Sequence, residues 1–191
     1  EMMLGQLAEK GYTFTDDEAE ADIAVVNSCC FIGDAKEESI NTILQLAEWK
    51  TEGRLKALIV CGCLAQRYKD EIQTEIPEVD AIIGTTAIDR IVETVDSVLA
   101  GKSENHLEDI DRACVYGVPR SVTTGGHFAY LKIAEGCNKR CTYCVIPSVR
   151  GNYRSIPMKR CCRSFCASFV RSKGLSGFAC FTVIRKRLRK S

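Results

Sequence analysis

Hydrophobic positions in the first hundred residues alternate between a helical and an extended period, and the alternation predicts a series of elements. Leu4, Leu7 and Ala8 recur at helical spacing and stop before Gly11, as in a helix closed by a glycine beyond its C-terminus. Residues 23–26, Ile-Ala-Val-Val, predict a buried strand. Asp34 stands where it can cap a helix whose apolar face is Ile40, Ile43, Leu44 and Ala47, with Glu37 and Glu38 in the first turn, where the helix dipole favours them. Residues 57–60 predict a second buried strand, 68–75 a short helix ended by Pro77, 81–83 a third strand, and 88–99 an amphipathic helix stopped by Gly101. The order β-α-β-α-β-α predicts an α/β fold: a parallel sheet with helices on both faces.

After this series the pattern weakens. Residues 102–127 are polar and carry Pro119, Gly125 and Gly126, which reads as a linker between residues 1–101 and a second unit. That unit opens with a predicted strand at 128–133 leading into Ala134-Glu135-Gly136-Cys137, and runs to residue 158. No apolar stretch approaches the ~20 residues of a membrane-spanning helix, and Glu1-Met2-Met3-Leu4-Gly5 carries no secretory signal, so a cytoplasmic chain without a membrane partner is expected. Glu1 in place of an initiator Met implies an earlier natural start.

Composition narrows the class. With 46% hydrophobic and 27% charged residues in 191, the chain is neither disordered, collagenous nor coiled-coil. Its net charge of +1 hides a split, because no Asp or Glu follows Glu135: the first 135 residues carry −13 and the last 56 carry +14. Residues 159–191 hold no acidic residue and no helical or strand periodicity. Two readings of this tail stand side by side. One is a basic arm, with Arg185, Lys186, Arg187, Arg189 and Lys190, that contacts RNA phosphates; the other is an end translated out of frame.

The 12 cysteines bring in the chemistry. Without an export signal, metal or redox roles outrank disulfides. Cys29 follows the first predicted strand and Cys63 the second, and consecutive parallel strands bring their carboxyl ends to one rim, where ligands bind in open sheets. Cys29 and Cys63 are therefore expected to meet there. Cys30 and Cys61 are expected to be buried apolar cysteines, and Gly62 to mark a tight, exposed turn beside Cys63. Cys137, Cys141 and Cys144 have the spacing C-x3-C-x2-C. Zinc sites generally take two pairs and four protein ligands, and the ferredoxin run has a different first gap. Three close thiols without an evident fourth point to a 4Fe-4S cluster with one iron left open, the spacing of the radical S-adenosylmethionine enzymes.

The stretches Val26-Asn27-Ser28-Cys29-Cys30-Phe31-Ile32, Gly62-Cys63-Leu64-Ala65-Gln66-Arg67-Tyr68, Ala129-Tyr130-Leu131-Lys132-Ile133-Ala134-Glu135-Gly136-Cys137 and Cys144-Val145-Ile146-Pro147-Ser148-Val149-Arg150-Gly151 together resemble the methylthiotransferase family. They are most similar to its RimO-like branch, which modifies an aspartate of protein twelve of the small ribosomal subunit. The resemblance covers roughly residues 1–158. It implies that Cys137, Cys141 and Cys144 hold the radical cluster on the first loop of a partial α/β barrel, with S-adenosylmethionine on the open iron. It also implies that Cys29 and Cys63 are two of three ligands to an auxiliary 4Fe-4S cluster, whose third ligand lies in a segment before Glu1. The implied chemistry is hydrogen abstraction from an unactivated carbon, sulfur insertion, and methylation by a second S-adenosylmethionine, with a reductant protein as electron source. Tyr143 matches the family's aromatic beside the cofactor; simple packing of the loop is its other reading. Arg150 and Arg154 could bind a substrate carboxylate, but arginines after such a loop are as often solvated, and they are left outside the site. Two alternatives remain: the sibling branch that acts on a tRNA adenosine, and a non-catalytic iron–sulfur or RNA-binding module. One strand and one loop of a barrel cannot enclose S-adenosylmethionine, so this chain alone is expected to be inactive.

Overall fold

The computed structural model describes residues 1–17, 20–123 and 129–162. The basic arm at 185–190, most of the tail from 159, Cys166, Cys180, and Gly125 to Phe128 lie outside the described residues. Helix α1 spans Met2–Glu9, strand β1 Ile23–Ser28, helix α2 Gly33–Thr51, strand β2 Ala57–Gly62, helix α3 Cys63–Arg67, helix α4 Lys69–Glu75, strand β3 Ala81–Ile83 and helix α5 Ile91–Leu99. A 3-10 turn at Ile88–Arg90 leads into α5.

The three strands form a parallel sheet in the order β1-β2-β3. Central β2 is buried along its whole length, and its side chains alternate between two cores. Leu58 and Val60 pack with Ile43 and Ala47 of α2 and Ile72 of α4, while Ala57, Ile59 and Cys61 pack with Leu7 of α1 and Ile91, Val95 and Val98 of α5. This is the α/β arrangement with helices on both faces.

Several details differ from the sequence expectation. As an edge of the described sheet, β1 is only half-buried over Ile23 to Val26, because nothing covers its outer hydrogen-bonding side as β2 is covered on both. Asp34 does not cap α2: the helix begins at Gly33, Ile32 occupies the N-cap, and Asp34 sits in the first turn. Leu44 is exposed, and Ser39 joins Ile43 and Ala47 on the buried face, since its hydroxyl is satisfied by donating to the Ala35 carbonyl at 2.8 Å.

Residues 102–123 lie along the edge of β3. His106 makes a parallel bridge to Ile83, donating its N–H to the Ile82 carbonyl and accepting from the Gly84 N–H. Arg112 grips Asp89 through two hydrogen bonds of 2.9 and 2.7 Å. The strand expected at 128–133 is absent among the described residues of that stretch. Strand β4 instead begins at Ala134, spans Ala134–Glu135, and pairs antiparallel with β5, Arg154–Ser155. Helix α6, Ile146–Arg150, lies between them in sequence and buries Val149 in the same core as α2 and α4. No helix among the described residues is long and apolar enough to cross a membrane.

Candidate functional site

Register builds the first half of the site. Ser28 and Gly62 are partners across β1 and β2, so the residues that follow them, Cys29 and Cys63, leave adjacent parallel strands at one rim. The rim is held by short-range bonds: the Ser28 hydroxyl donates to the Cys61 carbonyl at 2.6 Å, and the Cys29 N–H donates to Ser39 Oγ at 2.9 Å. Cys30 and Cys61 are buried, as expected for core cysteines. Burial pushes the Cys61 thiol up to about 12. The Cys30 thiol is also raised, first by burial and then by its neighbours Cys63 and Cys29, against the lowering influence of Arg67 and Lys36.

Cys63 differs from the expected exposed turn. No turn intervenes: β2 passes directly into α3, because Gly62 adopts φ 97° and ψ −157°, a conformation that only glycine takes readily. A Cβ at Gly62 would stand 2.5 Å from the Ser28 carbonyl oxygen. Cys63 is consequently buried, with its Sγ accepting a hydrogen bond from Arg150 Nε at 3.1 Å.

The second half is the loop from β4 to α6. Cys137 follows β4 through Gly136 and donates its N–H to the Gly151 carbonyl at 3.0 Å, while its Sγ accepts from the Lys139 N–H at 3.4 Å. Cys144 donates its N–H to the Cys141 carbonyl, closing a turn over Thr142 and Tyr143. Cys141 is exposed, and Cys137 and Cys144 are partly so. Tyr143 is 90% exposed and is not packed into the loop. Asp111 pins the far end of the unit, accepting from the N–H of Asn152 at 2.6 Å and from Arg154 Nη1 at 3.0 Å.

An open cleft of about 350 Å³ lies between the two halves, lined by Phe31, Cys63, Glu135, Gly136, Val149 and Arg150 among others. Arg150, left outside the site from the sequence, reaches both Cys63 and Glu135, at 3.1 and 3.4 Å. Burial works against its charge, but Cys63, Glu135 and Cys29 together keep its pKa raised. Only the fold reveals this: Arg150 is far from Cys63 in sequence, and no local pattern marks it.

The family described as "Uncharacterized protein family UPF0004" matches residues 1–84. The chain is 59% identical over 160 residues to a protein of Lachnoclostridium phytofermentans named "Ribosomal protein uS12 methylthiotransferase RimO", covering 84% of this chain and 36% of that one. Proteins of the same name from Clostridioides difficile and Desulforamulus reducens are each 50% identical, over 81% and 83% of this chain and 35% and 36% of theirs. The chain belongs to the methylthiotransferase family. It spans about a third of the length of these relatives.

Within a methylthiotransferase chain, the donor sets fit iron–sulfur ligation. Three thiols, one exposed and two partly so, stand on one loop, where a cluster can reach them. Among the described residues, the group of three ligating atoms within 4.8 Å of one another is Glu93, Glu104 and His106, away from every predicted ligand. Cys137, Cys141 and Cys144 are not such a group. At the sheet rim the structure brings together two thiols, Cys29 and Cys63.

Proposed function

We propose that the chain serves the reaction for which its relatives are named: transfer of a methylthio group to ribosomal protein uS12, at the β-carbon of an aspartate. Cys137, Cys141 and Cys144 would hold a 4Fe-4S cluster that binds S-adenosylmethionine, and Cys29 and Cys63 would supply two ligands of an auxiliary cluster. When bound, these groups supply the radical that activates an unreactive carbon and the sulfur that replaces its hydrogen. The rest falls to the protein's own residues. The Lys139 N–H bonds Cys137 Sγ, the Gly151 carbonyl fixes the Cys137 backbone, and Arg150 lays its guanidinium against Cys63. Tyr143, exposed between two ligands, is free to cover a cofactor. A cytoplasmic reductant protein would provide the electron.

The observation that carries this reading is that β1 and β2 place two thiols on the rim against which α6 docks the end of the cysteine loop. Cys63 and Gly136, the residue before the first loop cysteine, both line the cleft, which supports a reaction joining the two sites. The test is anaerobic reconstitution of the chain with iron and sulfide, followed by spectroscopy and an assay for 5′-deoxyadenosine in the presence of a uS12 peptide. The chain is expected to bind a cluster through Cys137, Cys141 and Cys144 and to give no turnover by itself. Turnover refutes the inactivity, and iron content unchanged in the triple Cys→Ala variant removes the radical site.

A further inference from the structure

Arg150 is the side chain through which the cysteine loop touches a rim thiol. Its Nε donates to Cys63 Sγ at 3.1 Å, its Nη1 to Glu135 Oε1 at 3.4 Å, and its neighbour Gly151 accepts the Cys137 N–H at 3.0 Å. The Glu135 carboxylate is only 14% exposed and is shared with Lys132. Val149, one residue earlier, is anchored in the core, and its carbonyl accepts from the Thr85 hydroxyl at 2.8 Å. The guanidinium therefore emerges from a fixed helix end between a thiol of one unit and a carboxylate two residues before the first loop cysteine.

We infer that Arg150 is a positioning residue, a clamp that sets the cysteine loop against the sheet rim by bonding Cys63 and Glu135 at once. Its planar fork suits this task, since two N–H groups diverge at fixed angles toward two acceptors. Lysine keeps the charge but is a single point donor and cannot bridge them in the same way. Gly151 assists by turning the chain sharply after Arg150, at φ 68° and ψ −162°, so that its carbonyl faces Cys137. The positive charge is borne by the residue next to Gly151, whose carbonyl accepts the Cys137 N–H, so that its loss is felt through this junction.

The clamp is tested first without iron. In hydrogen exchange on the apo chain, Arg150→Gln is expected to speed exchange in β4 and α6 by about tenfold, the scale of losing one charge-assisted hydrogen bond. Glu135→Gln should reproduce the effect in β4, and Arg150→Lys should restore it in part. Unchanged exchange in R150Q overturns the clamp. The positioning role rests on the proposed cluster and is read from the reconstituted chain. R150Q is expected to lower the midpoint potential of the cluster on Cys137, Cys141 and Cys144 and to alter its electron paramagnetic resonance spectrum, while R150K stays near the parent. An R150Q potential and spectrum identical to the parent overturn that role. Failure of the parent chain to bind iron through the trio instead overturns the proposed function, and the apo measurement still decides the clamp.

Discussion

At the scale of single residues, backbone freedom at Gly62 fixes where Cys63 goes. Its φ and ψ lie in a region essentially restricted to glycine, and the Ser28 carbonyl leaves no room for a side chain. Gly62→Ala should destabilise the chain by about 2 kcal/mol or more, measured by urea unfolding, and should weaken the Arg150–Cys63 contact. Tyr12 offers a titration. Its hydroxyl donates to Asp96 Oδ1 at 2.7 Å, and that bond, with burial and the Asp96 charge behind it, pushes the phenol up to about 12. The folded phenol holds its proton more tightly than the unfolded one, whose ordinary value is about 10. The bond's contribution is therefore complete below about pH 10 and is lost as the pH rises through about 12. Ultraviolet titration of Asp96→Asn should show the Tyr12 transition moved down toward its ordinary value.

At the scale of elements, β2 organises the molecule because both of its faces are covered. Ile43 of α2, fully buried, packs with Leu58 and Val60 on one face. Ile43→Ala should cost about 2–5 kcal/mol in denaturant unfolding, the range for deleting a large aliphatic side chain where the surroundings cannot collapse. Exposed Leu44, beside it in sequence, should tolerate alanine with a change within about 0.5 kcal/mol. Periodicity alone placed both on the core face. A helix of 19 residues presents a stripe that drifts around its axis, and only the position of the sheet decides which edge of the stripe is covered.

At the scale of the whole molecule, α6 joins two units through Val149 and Arg150: the sheet rim, which carries Cys29 and Cys63, and the loop after β4, which carries Cys137, Cys141 and Cys144. Iron analysis after reconstitution should show the trio as the principal ligands: single alanine replacements of Cys137, Cys141 or Cys144 should each abolish most of the bound cluster. Replacement of buried Cys61, whose thiol is held protonated by burial, should leave iron content unchanged. Loss of iron on replacing Cys61 but not Cys137 would contradict the assignment.

Much of the fold was legible in the sequence. Three strands and their helices followed from apolar periodicity, and the parallel order followed from their alternation, because strand–helix–strand connections leave few other solutions. The spacing of Cys137, Cys141 and Cys144 was equally legible, since it is fixed by the chain itself, and the structure sets all three between β4 and α6. Residues 129–133 were misread as part of a strand because an apolar and aromatic run forms one only where a strand pairs with it, and none does so among the described residues. Tertiary structure alone decided that the segment after Gly101 runs along β3, that Cys63 is buried at a helix start, and that Arg150 meets it. Those facts depend on contacts between residues distant in sequence, and local pattern carries no record of which distant group will arrive.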